Sequence, residues 1–293
     1  MEDQPPTGGS RCSVPLGSLF GVRIRVDWSF FATILVAELV SLRASDPMYS
    51  LFVFVLFGPV LLIAIYFHEM GHVIVARCLG CRVRFIHIWA CGGFGYFGPA
   101  EKGPWADLLV ALAGPVMHAV QMGIWVGVYG ILEKGDLSNF DQPVYLYDVT
   151  NASPAEFFAV LSKQAYRVNL LLLIANSCLP TAEFDGGRIL ADLTIMCGAS
   201  IHNAAFILSA LALLIGSGLI TWGVLALVRP PADTIGILCL LFGLLCLKSG
   251  FDLWGVVKDG RILEHPMFGR SCYRHLSNED DDNHDIELEQ AQP

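Results

Sequence analysis

Charge is scarce in this sequence. Only 15% of its 293 residues are Asp, Glu, Lys or Arg, whereas 54% are hydrophobic and the mean hydropathy is +0.57. Soluble domains carry about 25% charged residues, so a membrane protein is expected. Basic residues are scarcer still: 18 Lys and Arg against 27 Asp and Glu give a net charge of −9, and no nucleic-acid partner is expected. Much of that acidity sits in Glu279, Asp280, Asp281, Asp282, Asp285, Glu287 and Glu289, which read as a solvated, disordered tail. The start of the chain has no apolar run beside it, only a polar stretch with Pro5, Pro6, Gly8 and Gly9, so a removable signal peptide is not expected.

The nine cysteines are an odd number and imply no disulfide framework. Cys178, Cys197, Cys239 and Cys246 fall in or beside apolar segments, where a thiol behaves as a small hydrophobe. Cys78 and Cys81 form a C-x-x-C without a second pair at zinc-finger spacing, and a structural role is expected for them. The paired broken helices of an internally repeated transporter are also missing.

Long apolar runs are abundant. They cover Trp28 to Leu42, Leu51 to Phe67 continuing towards Gly80, Trp105 to Leu132, Phe157 to Leu179, Ala204 to Val228 and Ile235 to Val257. About 20 apolar residues are needed to cross roughly 30 Å of hydrocarbon, so these read as six membrane segments of an all-α polytopic protein. Residues 28–265 form the expected membrane-embedded domain, flanked by a cytoplasmic segment 1–27 and the acidic tail 266–293. An inward N-terminus puts twelve Lys and Arg on the inner side, among them Arg23, Arg25, Arg77, Arg188 and Lys258, against Arg43, Lys134, Lys163, Arg167 and Arg229 outside. The positive-inside bias therefore favours both termini in the cytoplasm and the acidic loop Glu133 to Pro154 opposite. Val83 to Phe97, with Gly92, Gly93 and Gly95, reads as a glycine-rich hairpin at the membrane edge, with a simple loop as the alternative.

The chemistry resides in His68-Glu69-Met70-Gly71-His72, an H-E-x-x-H inside an apolar run. Positions i and i+4 share a helix face, so both imidazoles can bind one Zn²⁺ with Glu69 beside them. Zinc acidifies water, and Glu69 can take the proton as general base and later pass it to a leaving amine. Charged groups near a membrane helix centre cost roughly 2.5–3.5 kcal/mol on insertion scales, which argues against a merely structural cluster. Catalytic zinc takes three protein ligands, and Asp185, followed by Gly186-Gly187-Arg188, is the best candidate for the third; Glu183 competes, and an Asp-Gly turn capping the next helix is the bland alternative.

These residues resemble the site-2 protease family of intramembrane zinc metalloproteases. The likeness rests on His68 to His72, on Cys91-Gly92-Gly93-Phe94-Gly95-Tyr96-Phe97-Gly98, on Ala113-Gly114-Pro115, and on Pro180 followed by Asp185-Gly186-Gly187-Arg188. The resemblance implies that His68, His72 and Asp185 hold zinc, that Glu69 is the base, and that the glycine-rich hairpin, with Gly92 and Gly93, presents an extended substrate strand. It also implies cleavage of single-pass membrane proteins within the lipid bilayer. Two positions depart from the family pattern. His118 stands three residues after Pro115 where the family has Asn, and Ser177 stands three before Pro180 where it also has Asn, with Asn176 one place earlier. Both family positions contact substrate or the oxyanion, so His118, Asn176 and Ser177 are candidate substrate-binding residues. His118 is expected to donate a hydrogen bond to substrate, with a partner inside the bundle or a fourth place on the metal as alternatives. A metal-binding membrane protein that does not cleave, and an inactive homologue that retains membrane partners, are the competing functions.

Overall fold

A computed structural model of the protein describes residues 13–81, 83–89, 92–97, 102–144, 147–150, 152–228, 234–269 and 273. Helices dominate, with a small sheet whose strand order is β1-β2-β3-β4. Strand β1 (Ser13–Leu19) turns back into β2 (Val22–Asp27) through Phe20 and Gly21, both at positive φ. Strand β3 (Val83–Trp89) pairs parallel to β2 and antiparallel to β4 (Gly92–Phe97). The expected glycine-rich hairpin is therefore β3–β4, while Cys91 and Gly98 lie outside the described residues. The first hairpin was not expected, because residues 1–27 read as a plain N-terminal segment. Its signal lies in Val22, Ile24 and Val26 alternating with Arg23, Arg25 and Asp27, the period of a half-buried strand.

Helix α1 (Trp28–Ser41) begins where Asp27 Oδ1 accepts the Ser29 N–H at 2.9 Å. At 14 residues it is about 21 Å long, short of the roughly 30 Å of hydrocarbon. Among the described residues, five helices are long and apolar enough to cross a membrane: Pro47–Cys78, Pro104–Leu132, Pro154–Cys178, Ile201–Val228 and Gly236–Lys258. The first of the six expected apolar runs is not among these candidates, because regular helix stops at Ser41 and is followed by a short 3₁₀ turn, Leu42–Ala44. The first candidate span joins α2 (Pro47–Val55) to α3 (Leu61–Cys78) through a π-helical turn, Leu56–Val60. Pro59 within that turn lacks an N–H and clashes with a regular ladder, and the wider turn absorbs both defects.

The later helices are α4 (Pro104–Leu132), the short α5 (Tyr147–Thr150), α6 (Pro154–Cys178), α7 (Asp185–Met196), α8 (Ile201–Val228) and α9 (Thr234–Lys258). The chain divides into two compact units, Met1–Cys78, Arg82–Gly98 and Val116–Leu173 in one, and Leu79–Cys81, Pro99–Pro115 and Ile174–Pro293 in the other. In the first, Val22, Val26, Ile86 and Ile88 of the sheet bury against Phe30 of α1 and Ile65, Met70 and Val73 of α3. That packing seats the sheet on the helix carrying the H-E-x-x-H. A second cluster links α2, Val149 and α6 through Phe52, Leu56, Phe157 and Leu161.

In the second unit, α8 and α9 approach closely over glycines. A Cβ on Gly243 would stand 2.7 Å from Ile220 Cγ1 and 2.9 Å from Gly216 O. Small residues let membrane helices bring their backbones together, which is where packing energy comes from when lipid is as apolar as the side chains. Beyond α9, Met267, Phe268 and Tyr273 are buried with Ala191, Leu208 and Leu253, and the Tyr273 hydroxyl donates to buried Asp192. Packed structure thus passes the expected boundary at residue 265, while the acidic residues from Glu279 onward lie outside the described residues. Gly243→Leu should lower the stability of the detergent-solubilised protein by about 1–3 kcal/mol, measured as a lower thermal midpoint. Gly218→Leu, whose Cβ would meet nothing within 4 Å, should cause no such loss.

Candidate metal centre

His68, Glu69 and His72 lie on α3 and are all buried. One helical turn separates the two histidines, and their Nε2 atoms approach to 3.1 Å. Two nitrogens held about 2.0–2.1 Å from one tetrahedral zinc ion lie roughly 3.3 Å apart, so the pair is spaced as two ligands of such an ion would be. Glu69 offers a carboxylate oxygen in the same group, with all three ligand atoms within 4.8 Å of one another. The donor set, two imidazoles and a carboxylate away from bulk water, fits zinc. An ion there can hold His68 and His72 as ligands and leave Glu69 for proton transfer.

Strand β4 lies directly on the carboxylate. A Cβ at Gly93 would stand 2.7 Å from Glu69 Cγ and 2.8 Å from Glu69 Oε1. The glycine-rich strand therefore has a steric reason beyond chain flexibility: no larger residue fits at position 93 without moving Glu69. Gly92 neighbours it and pairs with Trp89.

Helix α4 supplies the third wall. His118 is 1% exposed, and its ring lies 4.7 Å from that of His68, tilted by 32°. Its Nδ1 is 2.9 Å from Asn169 Oδ1, and Asn169 Nδ2 donates to the Ala165 carbonyl at 2.9 Å. A carbonyl only accepts, so it fixes the Asn169 amide, and the Asn169 oxygen in turn requires the proton on His118 Nδ1. The neutral ring then has its lone pair on Nε2. Through Nε2 this neutral tautomer accepts; donation to substrate, the role expected from the sequence, requires the protonated ring. His118 stands beside the His68, Glu69 and His72 group and is not one of its members. One turn further, Gln121 Nε2 donates to the Ala64 carbonyl at 3.2 Å, tying α4 to α3 just before His68.

Asp185 belongs to the second unit, where it opens α7 and is 7% exposed. Arg188 lies 3.7 Å from it and makes a closer pair with Asp107 of α4, Nη2 to Oδ1 at 2.5 Å. Burial opposes the guanidinium charge, but Asp107 and then Asp185 outweigh it, leaving the Arg188 pKa above its ordinary value. Arg188 thereby places a positive charge beside the Asp185 carboxylate. The glycines after Asp185 have a packing reason: a Cβ on Gly186 would stand 2.7 Å from Leu179 O and 2.8 Å from Ser177 O, and one on Gly187 would overlap the Thr181 carbonyl. Glu183, the competing ligand, is exposed, and Asn176 is buried near the end of α6 with Ser177 half-buried beside it. The structure gathers His68, Glu69, His72, His118 and Gly93 in one unit, and Asp185, Asn176 and Ser177 fall in the other. Asn169, Gln121 and Asp107 were missed in the sequence, although a polar residue inside an apolar run is a signal that would have found them.

Residues 56–216 match the family model described as Peptidase family M50. The chain is 30% identical over 186 residues to "Putative zinc metalloprotease Rip3" of Mycobacterium tuberculosis, covering 61% of this chain and 43% of that protein. It is 30% identical over 117 residues to "Putative zinc metalloprotease sll0528" of Synechocystis sp., covering 37% of this chain and 30% of the relative. The chain thus spans less than half the length of these curated relatives. The solved Site-2 Protease from Methanocaldococcus jannaschii has a similar fold, with a TM-score of 0.53 at 19% identity over 82% of this chain and 94% of that one.

Gly93→Val should displace the Glu69 carboxylate while suiting a strand by propensity. Any peptide hydrolysis that this centre supports should fall by about 10²-fold, the order expected for a displacement near 1 Å, with bound metal unchanged by elemental analysis. Activity equal to wild type would mean that β4 does not confine Glu69.

Proposed function

This chain belongs to peptidase family M50, and on that premise we propose that it is an intramembrane zinc metalloprotease hydrolysing peptide bonds within or beside the membrane segments of single-pass proteins. The observation that carries this reading is the buried His68, Glu69 and His72 group, whose imidazole nitrogens are 3.1 Å apart on a helix long and apolar enough to cross the membrane. Zn²⁺ is the cofactor that the family and this donor set imply. When bound, zinc supplies Lewis-acid polarisation of the scissile carbonyl and makes water easier to deprotonate.

The protein's own groups do the rest. His68, His72 and Asp185 hold the ion; the burial of Asp185 and the exposure of Glu183 support that choice of third ligand. Glu69 takes a proton from the attacking water and returns it to the departing amine. Gly92 and Gly93 keep β4 slim against Glu69, so an extended substrate segment can lie along the strand edge by main-chain hydrogen bonding. His118, its Nδ1 proton committed to Asn169, accepts a hydrogen bond from substrate through Nε2. Asn176 and Ser177 contribute further polar contacts to the bound peptide.

Charge bias supports cytoplasmic placement of both termini, which needs an even number of crossings. Helix α1 and its 3₁₀ extension together span Trp28 to Ala44, about 27 Å at 1.5 and 2.0 Å per residue, and supply a sixth crossing close to the hydrocarbon thickness.

Glu69→Gln should abolish cleavage of a panel of membrane-segment substrates while insertion and bound zinc persist; turnover at the wild-type rate would refute the role of Glu69. A thiol reagent applied from the non-cytoplasmic side should label Ser138→Cys and leave Ser277→Cys untouched, and the opposite pattern would invert the topology.

A further inference from the structure

Between the outer turns of α4 and α6 lies a cavity of about 590 Å³, lined by Tyr129 and Glu133 from α4 and its end, Asp148 of α5, and Glu156, Val160 and Lys163 of α6. It lies wholly within the first unit and takes no part in the metal centre. Lys163 is its unusual member. The residue is 8% exposed, about 13 Å into a candidate membrane span, and no carboxylate lies within ion-pairing distance of its ammonium among the described residues. Its neighbour one turn on, Arg167, is already satisfied: its Nη2 donates to the Gln142 carbonyl at 2.7 Å and ties the middle of α6 to the loop that follows α4. Asp148, Glu133 and Asp141 act on it only through space; a buried cation held by no direct contact is costly, and in a membrane span it marks a functional contact.

The rim has the opposite sign. Glu133 is exposed at the end of α4, Asp148 stands across the cavity, and Glu156 joins them, although one of its oxygens accepts the Ser153 N–H at 2.7 Å. A simple anion would satisfy Lys163 and be repelled at the rim. A simple cation would do the reverse. The cavity therefore suits a ligand with its negative group deep and its positive group outward. Its lining includes Glu133, just past the end of one candidate span, and Glu156, in the first turn of another, and the ends of membrane spans are where lipid headgroups lie.

We propose that this cavity binds the phosphate and primary ammonium of a phosphatidylethanolamine headgroup, phosphate on Lys163 and ammonium on Glu133 and Asp148. A primary ammonium has three N–H donors for the rim carboxylates, and the phosphate gives Lys163 a charge-assisted acceptor. The acyl chains leave past the apolar surface of the spans; Ile131, in the last turn of α4, is 81% exposed. The site rests on the chain being an integral membrane protein and is independent of proteolysis.

The test uses the full chain, delipidated in detergent and titrated with phosphatidylethanolamine, phosphatidylglycerol or water-soluble glycerophosphoethanolamine, with bound lipid read by native mass spectrometry. Wild type should retain phosphatidylethanolamine at least tenfold more tightly than either of the other two. Lys163→Gln, which removes the contact to the phosphate that both lipids share, should weaken phosphatidylethanolamine and phosphatidylglycerol alike. Glu133→Gln, an exposed change that spares the fold, should weaken phosphatidylethanolamine and leave phosphatidylglycerol unchanged. Equal binding of the two lipids by wild type, undiminished affinity in Lys163→Gln, or an unaltered preference in Glu133→Gln would overturn the proposal. Soluble glycerophosphoethanolamine binding as tightly as the lipid would overturn the assignment to a membrane lipid.

Discussion

Everything at the metal centre depends on the cost of keeping two imidazoles and a carboxylate inside an apolar helix. A charged group near the middle of a membrane helix costs roughly 2.5–3.5 kcal/mol on insertion scales, so such groups persist only where neighbours give them work and partners. Those neighbours surround α3 on separate sides. The sheet brings Val22, Ile86 and Ile88 against Met70 and Val73, and β4 closes on Glu69. Helix α4 brings His118 over His68 and fastens itself to α3 through Gln121. The sheet and α4 thus confine side chains whose geometry proton transfer needs fixed.

Two glycine sites show how backbone shape serves that confinement. Gly93 permits the approach of a strand to a carboxylate, and Gly186 with Gly187 permits the chain after α6 to fold against its own carbonyls just as α7 begins at Asp185. A methyl group at either site would push apart groups that must stay close. Arg188 works by charge where the glycines work by absence of bulk, standing 3.7 Å from Asp185 while itself anchored on Asp107. The polar chain Ala165, Asn169, His118 acts on proton position: a main-chain carbonyl, two residues removed, decides which nitrogen of His118 carries hydrogen.

The sequence exposed the helical spans and the metal-binding motif because both are local signals. An apolar run announces a membrane helix, and H-E-x-x-H needs only the 3.6-residue period to place its side chains together. The β3–β4 hairpin was legible through its glycines. What escaped was non-local. Strand β2 alternates correctly, yet its partner β3 lies some 60 residues away, and parallel pairing across such a crossover leaves no mark in a short window. The end of α1 is another case, because apolar residues continue to Leu42 while regular α-helix stops at Ser41. The role of His118 depended on Asn169, fifty-one positions away, and spacing alone gave no means of choosing its tautomer.

The central proposal is that His68, His72 and Asp185 are the zinc ligands and that Glu69 and His118 are not. X-ray absorption at the zinc edge, on purified wild type and on Asp185→Cys, tests it most directly. Wild type should show two imidazoles with only oxygen besides, and the variant should gain one sulfur at about 2.3 Å. A variant spectrum without sulfur, or a wild-type site with three imidazoles, would contradict the account.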